Sequence, residues 1–217
     1  MRILIGQPVH EQGISQLERD IRDNKNIDMV LYPEGYLSDT SNLRDACKLA
    51  KENSVAIITS YRKDKKDVGV IIGSNGERIY ERQKTSPEEA EKLNMPLSVN
   101  YHGITIGYVL CMEILKGVRD IKNAGTKMDF IAHPIGVGMF SEEQFQLWIG
   151  EAEKIAATYE TIIFGTSHAD GSYRNCGVSI PISYCISRDG VPLYISKSDT
   201  RKRIVDLETG EVEILGK

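Results

Sequence analysis

The sequence has little of what usually announces a function at once. Its four cysteines, Cys47, Cys111, Cys176 and Cys185, form no C-x-x-C pair, so a zinc or redox centre has no ligand spacing to rest on. Free thiols in that pattern point to a reducing, cytoplasmic setting. No stretch approaches the roughly 20 apolar residues of a membrane span. The opening Met1-Arg2-Ile3-Leu4-Ile5 lacks the charged, apolar, small-residue succession of a signal peptide. Charge of neither sign dominates: 27 Lys and Arg face 31 Asp and Glu, a net of −4, which argues against nucleic-acid phosphates as partner, and a membrane partner is not expected. The basic stretches 62–66 and 197–203 are broken by Asp64 and Asp199 and read as solvated loops. There is no G-x-x-x-x-G-K-[ST] run, and Gly136-Val137-Gly138 is too short for a dinucleotide fingerprint. The expectation is a chain without cofactor or metal. Repeats, linkers and low-complexity tracts are also missing.

What is present is an ordinary globular composition, 41% apolar and 27% charged over 217 residues, enough for one domain, residues 1–217, with a sizeable core. Strand and helix signals alternate. Residues 2–6, 29–32, 55–59, 130–133 and 162–166 are short apolar runs, two of them stopped by proline at Pro33 and Pro134. Ile14, Leu17 and Ile21 recur at helical spacing, and Ser41 stands where it could cap a helix carrying Leu43, Ala46, Cys47 and Ala50. Asn75-Gly76 and His102-Gly103 mark hairpins. A helix is expected after Cys111, with Ile114, Leu115, Val118 and Ile121 on one side. The strongest helical pattern begins at Ser141, where Ser141 and Gln144 suggest a capping box and Phe145, Trp148, Ile149, Ala152, Ile155 and Ala156 form an apolar stripe, core or dimer interface. The last third is strand-rich, with stretches 177–187, 191–196, 203–207 and 212–215, and turns at Asp189-Gly190 and Thr209-Gly210. The hairpins count against a purely parallel sheet, so the expectation is α/β with mixed sheets.

Three residues able to do chemistry lie where an apolar strand gives way to a turn. Cys111 ends one strand at the expected start of a helix, where backbone N–H groups and the helix dipole favour a thiolate nucleophile; a buried packing thiol is the plain alternative. Glu34 follows Pro33 and is either a general base or an exposed loop acid. Lys84 follows a hairpin strand and is either solvated or placed to stabilise developing negative charge together with the Met112 backbone N–H. Cys47, Cys176 and Cys185 read as packing residues. A second arrangement pairs Cys111 with His133 or His168 in a Cys–His site, and His133 otherwise reads as a structural or pocket-lining group. His10 and His102 sit near turns and need no function.

The order Glu, Lys, Cys, in Tyr32-Pro33-Glu34-Gly35-Tyr36, Tyr80-Glu81-Arg82-Gln83-Lys84 and Gly107-Tyr108-Val109-Leu110-Cys111 with Glu113 two residues on, resembles the nitrilase or carbon–nitrogen hydrolase superfamily. Arg119, the strand 129–134 and the helix with Trp148, Glu151 and Ala152 extend the resemblance over nearly the whole chain. It implies a four-layer αββα sandwich, a metal-free hydrolase of non-peptide C–N bonds, and a cysteine thioester intermediate. Glu34 is then base, Lys84 and Met112 N–H stabilise the oxyanion, Cys111 attacks, and His133 meets substrate. A small amide is favoured over a nitrile, and a homodimer burying the helices after the nucleophile is implied. Glu89, in competition with Glu88 and Glu91, stands for the family's second active-site glutamate. The chain departs from the pattern in three places: residues between Lys84 and Cys111 are trimmed, Leu115-Lys116-Gly117 replaces the usual Pro-Glu, and His133 replaces the usual asparagine. A catalytically silent binding protein of the same fold is the alternative.

Overall fold

The computed structural model describes residues 1–86, 92–124, 127–170 and 178–216. The first half builds one sheet by alternation. Strand β1 (Arg2–Ile5) is followed by helix α1 (Ser15–Asp23), β2 (Met29–Leu31), helix α2 (Thr40–Asn53) and β3 (Ala56–Lys63). β1, β2 and β3 run parallel. Strands β4 (Lys66–Ile72) and β5 (Arg78–Gln83) then continue the sheet as antiparallel hairpins.

The second sheet repeats the plan. Its strands are β6 (Ser98–Tyr101), β7 (Ile104–Tyr108), β8 (Phe130–Pro134), β9 (Ile162–Thr166), β10 (Ile182–Ile186) and β11 (Pro192–Lys197). Helix α3 (Ile114–Ala124) joins β7 to β8 and helix α4 (Glu142–Tyr159) joins β8 to β9, and these three strands are parallel. The chain finally returns to the first sheet as β12 (Arg203–Asp206), antiparallel to β1, and β13 (Val212–Ile214).

Period-two alternation sorts the apolar residues into layers. In β1 and β2, Leu4 and Val30 face a cluster with Leu17, Ile21, Leu43 and Leu49 of α1 and α2. Their neighbours Ile3, Ile5, Met29 and Leu31 face the other sheet and meet Ile106, Tyr108, Phe130 and Phe164. Beyond the second sheet, Ile131 and Ile163 pack on Phe145, Trp148, Ile149 and Ile155 of α4. Helices, sheet, sheet, helices: the four-layer αββα sandwich is the observed architecture. Tyr108 crosses the central layer, donating its hydroxyl to the Thr59 carbonyl of the opposite sheet at 2.5 Å. Gly69 makes room for that ring, since a Cβ there would lie 2.6 Å from it.

Local corrections have local causes. α2 is capped by Asp39, which accepts from the N–H groups of Ser41 and Asn42, so the helix starts earlier than a Ser41 cap implied. The basic stretch 62–66 is a tight hairpin between β3 and β4, with Asp64 and Lys65 at φ 51° and 64°. Ser141 caps α4 as expected, accepting from Gln144 N–H. Strand β10 is shorter than the 177–187 stretch suggested, beginning at Ile182.

All six central parallel strands point their carboxyl ends to one edge of the sandwich, and β5, reversed twice from β3, ends there too. That edge is where an α/β sheet assembles functional groups.

Candidate active site

Glu34 leaves the end of β2 in a turn fixed on both sides. The Pro33 carbonyl accepts from Thr59 Oγ1 at 2.8 Å, and Gly35 N–H donates to Ser60 Oγ at 2.6 Å. Gly35 supplies the left-handed conformation the turn needs, φ 75°. The Glu34 side chain is 1% exposed. Lys84 follows β5 and donates from Nζ to Glu34 Oε1 at 2.7 Å. Burial works to pull the ammonium pKa down; the charge and hydrogen bond of Glu34 act against it and help hold the amine charged.

Cys111 stands at the junction of β7 and a single 3-10 turn, Cys111–Glu113, that opens α3. Its backbone is left-handed, φ 53°, a conformation that costs a non-glycine residue roughly 1–3 kcal/mol and clusters at functional sites. Burial first, then the charge of Glu34, pushes the thiol up to about 12, against the pull of the Lys84 ammonium and the Gly136 backbone N–H. The Glu34 carboxylate and the Lys84 ammonium are both near enough for their charges to act on the sulfur. Burial therefore overrides the helix-start effect expected from the sequence and favours the protonated thiol. Met112 contributes one of the amides at this helical start, which lack intrahelical acceptors.

So Glu34, Lys84 and Cys111, drawn from both sheets, converge on one locus. His133 and His168, the candidates for a Cys–His arrangement, turn Nε2 to the carbonyls of Cys111 and Glu34 rather than to the thiol. His133 corrects another expectation. It is fully buried, its Nε2 lies 2.8 Å from the Cys111 carbonyl and its Nδ1 bonds the Tyr184 hydroxyl, so no ring nitrogen is left to meet a substrate. Glu88, Glu89 and Glu91 lie outside the described residues, as does Cys176. Cys185 is fully buried and Cys47 packs against the α1–α2 layer, as packing residues should.

The sequence left several supporting residues unassigned. Glu113 is the densest. Its carboxylate accepts from Arg82 Nη1 and Nη2 at 2.8 and 2.6 Å, from Thr85 N–H at 2.7 Å and from Leu110 N–H at 2.8 Å. One buried side chain thereby ties the segment bearing Lys84 to the turn bearing Cys111. The Gly136 amide carries no side-chain signal and could not be read from sequence. His10 and His168, set aside as turn residues or rivals, stack face to face with ring centroids 3.7 Å apart. His168 Nε2 meets the Glu34 carbonyl at 3.0 Å, and His10 Nδ1 meets Asp170 at 2.9 Å. His10, His168 and Asp170 put donor atoms within metal-ligand reach of one another, but near-parallel stacked rings, 12° apart, do not converge their in-plane lone pairs on a common point.

No family model matches the chain, and no curated protein matches it. Solved structures do. The NitN amidase from Neterenkonia sp. AN1 superposes with a TM-score of 0.75 at 14% identity, over 96% of each chain. A variant of the Nesterenkonia sp. AN1 amidase, with the acetamide moiety of fluoroacetamide added covalently at its active-site cysteine, gives 0.74 at 16% identity, over 95% of this chain and 89% of that one. A carbon–nitrogen hydrolase from Helicobacter pylori G27 gives 0.72 at 13% identity, over 96% and 89%. The fold is that of the nitrilase-superfamily amidases.

Proposed function

We propose that the chain, as one domain of residues 1–217, is a nitrilase-superfamily amidohydrolase that cleaves small amides through a thioester on Cys111. The observation that carries this is the convergence at one strand-end edge of a buried carboxylate, an ammonium 2.7 Å from it, and a buried thiol on a strained turn that feels both charges. Glu34 accepts the thiol proton as sulfur bonds to the amide carbon. The carbonyl π electrons move to oxygen, and the Lys84 ammonium and Met112 N–H stabilise that charge. As the C–N bond breaks, Glu34 returns its proton to the nitrogen, which leaves as ammonia or an amine. Water then adds to the thioester with Glu34 taking its proton, the C–S bond breaks, and that proton returns to sulfur as the acid departs.

The amide preference is supported by neighbours that are amidases. Free Cys47, Cys111 and Cys185 fit a cytoplasmic setting. Among the described residues no helix is long and apolar enough to cross a membrane. Exposed Leu115 on α3 and Leu147 on α4 support a homodimer through these helices, which sedimentation would check.

The test is ammonia release from a panel of small aliphatic amides and the corresponding nitriles. Cys111→Ala and Glu34→Gln should each lower kcat by at least about a thousandfold, as loss of a nucleophile or its base does. Wild type releasing ammonia from no amide or nitrile would reject hydrolysis in favour of the binding protein.

A further inference from the structure

Cys111 pays for its left-handed backbone, and something must keep it there. The contact is on its carbonyl, which accepts a hydrogen bond from His133 at 2.8 Å. A carbonyl can only accept, so Nε2 carries the proton. The ring is fully buried, and burial lowers its pKa to about 4, so at neutral pH it is uncharged and Nδ1 is a lone pair. The partner of Nδ1 is the Tyr184 hydroxyl, which must therefore donate. A directed chain results: Tyr184 O–H to His133 Nδ1, His133 Nε2–H to the Cys111 carbonyl. Tyr184 thus fixes the tautomer that can hold the nucleophile turn.

The surroundings hold this pair in place. Tyr184 on β10 stands directly across from Gly165 on β9, where a Cβ would come within 2.3 Å of the tyrosine ring. Trp148 of α4 stacks on His133 with centroids 5.6 Å apart. His133 and Tyr184 are both fully buried, so neither meets substrate directly.

We propose that His133 and Tyr184 are a positioning pair that holds Cys111 in its left-handed conformation and thereby sets the direction from which the sulfur attacks. The attack on an amide rests on the amidohydrolase reading; the conformational role does not. Three variants test it: His133→Leu, which removes the donor; His133→Gln, whose Nε2–H can reach the same carbonyl; and Tyr184→Phe, which frees the tautomer. Two readouts are taken on protein shown to be folded by circular dichroism and thermal melting. One is kcat and KM on the best small amide. The other is the rate of Cys111 alkylation by iodoacetamide, followed by peptide mass.

His133→Leu and Tyr184→Phe should lower kcat by about ten- to a hundredfold, with KM within about twofold, because misplacing a reacting atom affects the attack more than binding. Alkylation should slow in parallel. His133→Gln should recover most of both. Folded His133→Leu with wild-type kcat and alkylation overturns the proposal, as does His133→Gln impaired as badly as His133→Leu, which would mean packing alone. If His133→Leu does not fold, Tyr184→Phe decides by the same criteria. If wild type turns over no amide, the amidohydrolase reading fails by itself and the alkylation rates still decide this one.

Discussion

Two buried histidines do the same task at the two ends of the site, in opposite surroundings. His168 donates to the carbonyl of Glu34 and His133 to the carbonyl of Cys111. At the acid end, the left-handed residue is Gly35, which bears no Cβ, so the turn needs little external restraint. At the thiol end the left-handed residue is Cys111, the proposed nucleophile, which does bear a Cβ. The contacts follow that difference. His168 leads outward, by stacking, to His10 and then Asp170, whose side chains are 32% and 28% exposed. His133 leads inward to Tyr184 and Trp148, with Glu113 bracing the turn from the other side. Restraint is concentrated where the backbone is strained.

The largest expected effect breaks the thiol end. Arg82 and Glu113 are each 2% exposed and bound through two hydrogen bonds. Burial works against the Glu113 charge, and the Arg82 hydrogen bonds and charge outweigh it, holding the carboxyl below its ordinary range. Arg82→Leu leaves a buried carboxylate without its cation and should cost about 3–5 kcal/mol in urea unfolding. Arg82→Leu with Glu113→Leu should be less unstable than Arg82→Leu alone, since no uncompensated charge remains. A double variant as unstable as the single one would mean that the lost amide contacts of Glu113, rather than its charge, dominate.

Next in size is a pH effect shared by both ends. Burial lowers His133 and His168 from 6.5 to about 4 each. Between those values the unfolded chain binds protons that the folded one does not, so stability is greatest above pH 6.5 and falls as pH drops towards 4. Each histidine contributes a slope of about 1.4 kcal/mol per pH unit, roughly 3 kcal/mol over the window. His133→Gln and His168→Gln should each remove one proton's worth of that slope. An unchanged slope in either variant means that ring titrates normally in the fold.

What the sequence disclosed follows the same physics. Glu34 and Cys111 stood out because each follows an apolar run at a turn, Lys84 because it follows a hairpin strand, and Asn75-Gly76 and His102-Gly103 because glycine marks a positive φ. The Asp64-Lys65 turn was not, since both left-handed positions are filled by residues other than glycine and the local charge read as a loop. Ser41 stood out as a cap candidate by its place before the apolar stripe, and only the backbone shows that it is the Asp39 carboxylate that faces the free amides. The support of the site was least legible. The His10–His168 stack joins distant segments, Gly136 acts through its amide, and the Arg82–Glu113 pair depends on two sheets meeting. Cys111 carried a helix-start signal that favoured a thiolate, and burial, which only the fold reveals, reversed it.

A smaller effect sharpens the glycine half of the comparison. Gly35→Ala forces a Cβ into the left-handed region and should cost about 1–2 kcal/mol, read as a lower melting temperature. Ser60 Oγ and Thr59 Oγ1 still fix the turn on both sides, so kcat should fall less than in His133→Leu. The reverse order would place the critical restraint at the acid end.

The smallest effect belongs to the outermost residue. Asp170 accepts from the His10 backbone N–H and meets its ring, and burial of its carboxyl is outweighed by the His10 bonds, which lower its pKa. Asp170→Asn keeps a hydrogen-bonding group of the same shape and removes only the charge. Partly exposed charge pairs contribute about 0–1 kcal/mol, so stability at neutral pH should fall by about 0.5 kcal/mol and kcat should stay within about twofold. A loss of activity as large as that from His133→Leu would show that the His10–His168 stack transmits restraint to Glu34 as firmly as Tyr184 transmits it to Cys111, and the asymmetry between the two ends would be gone.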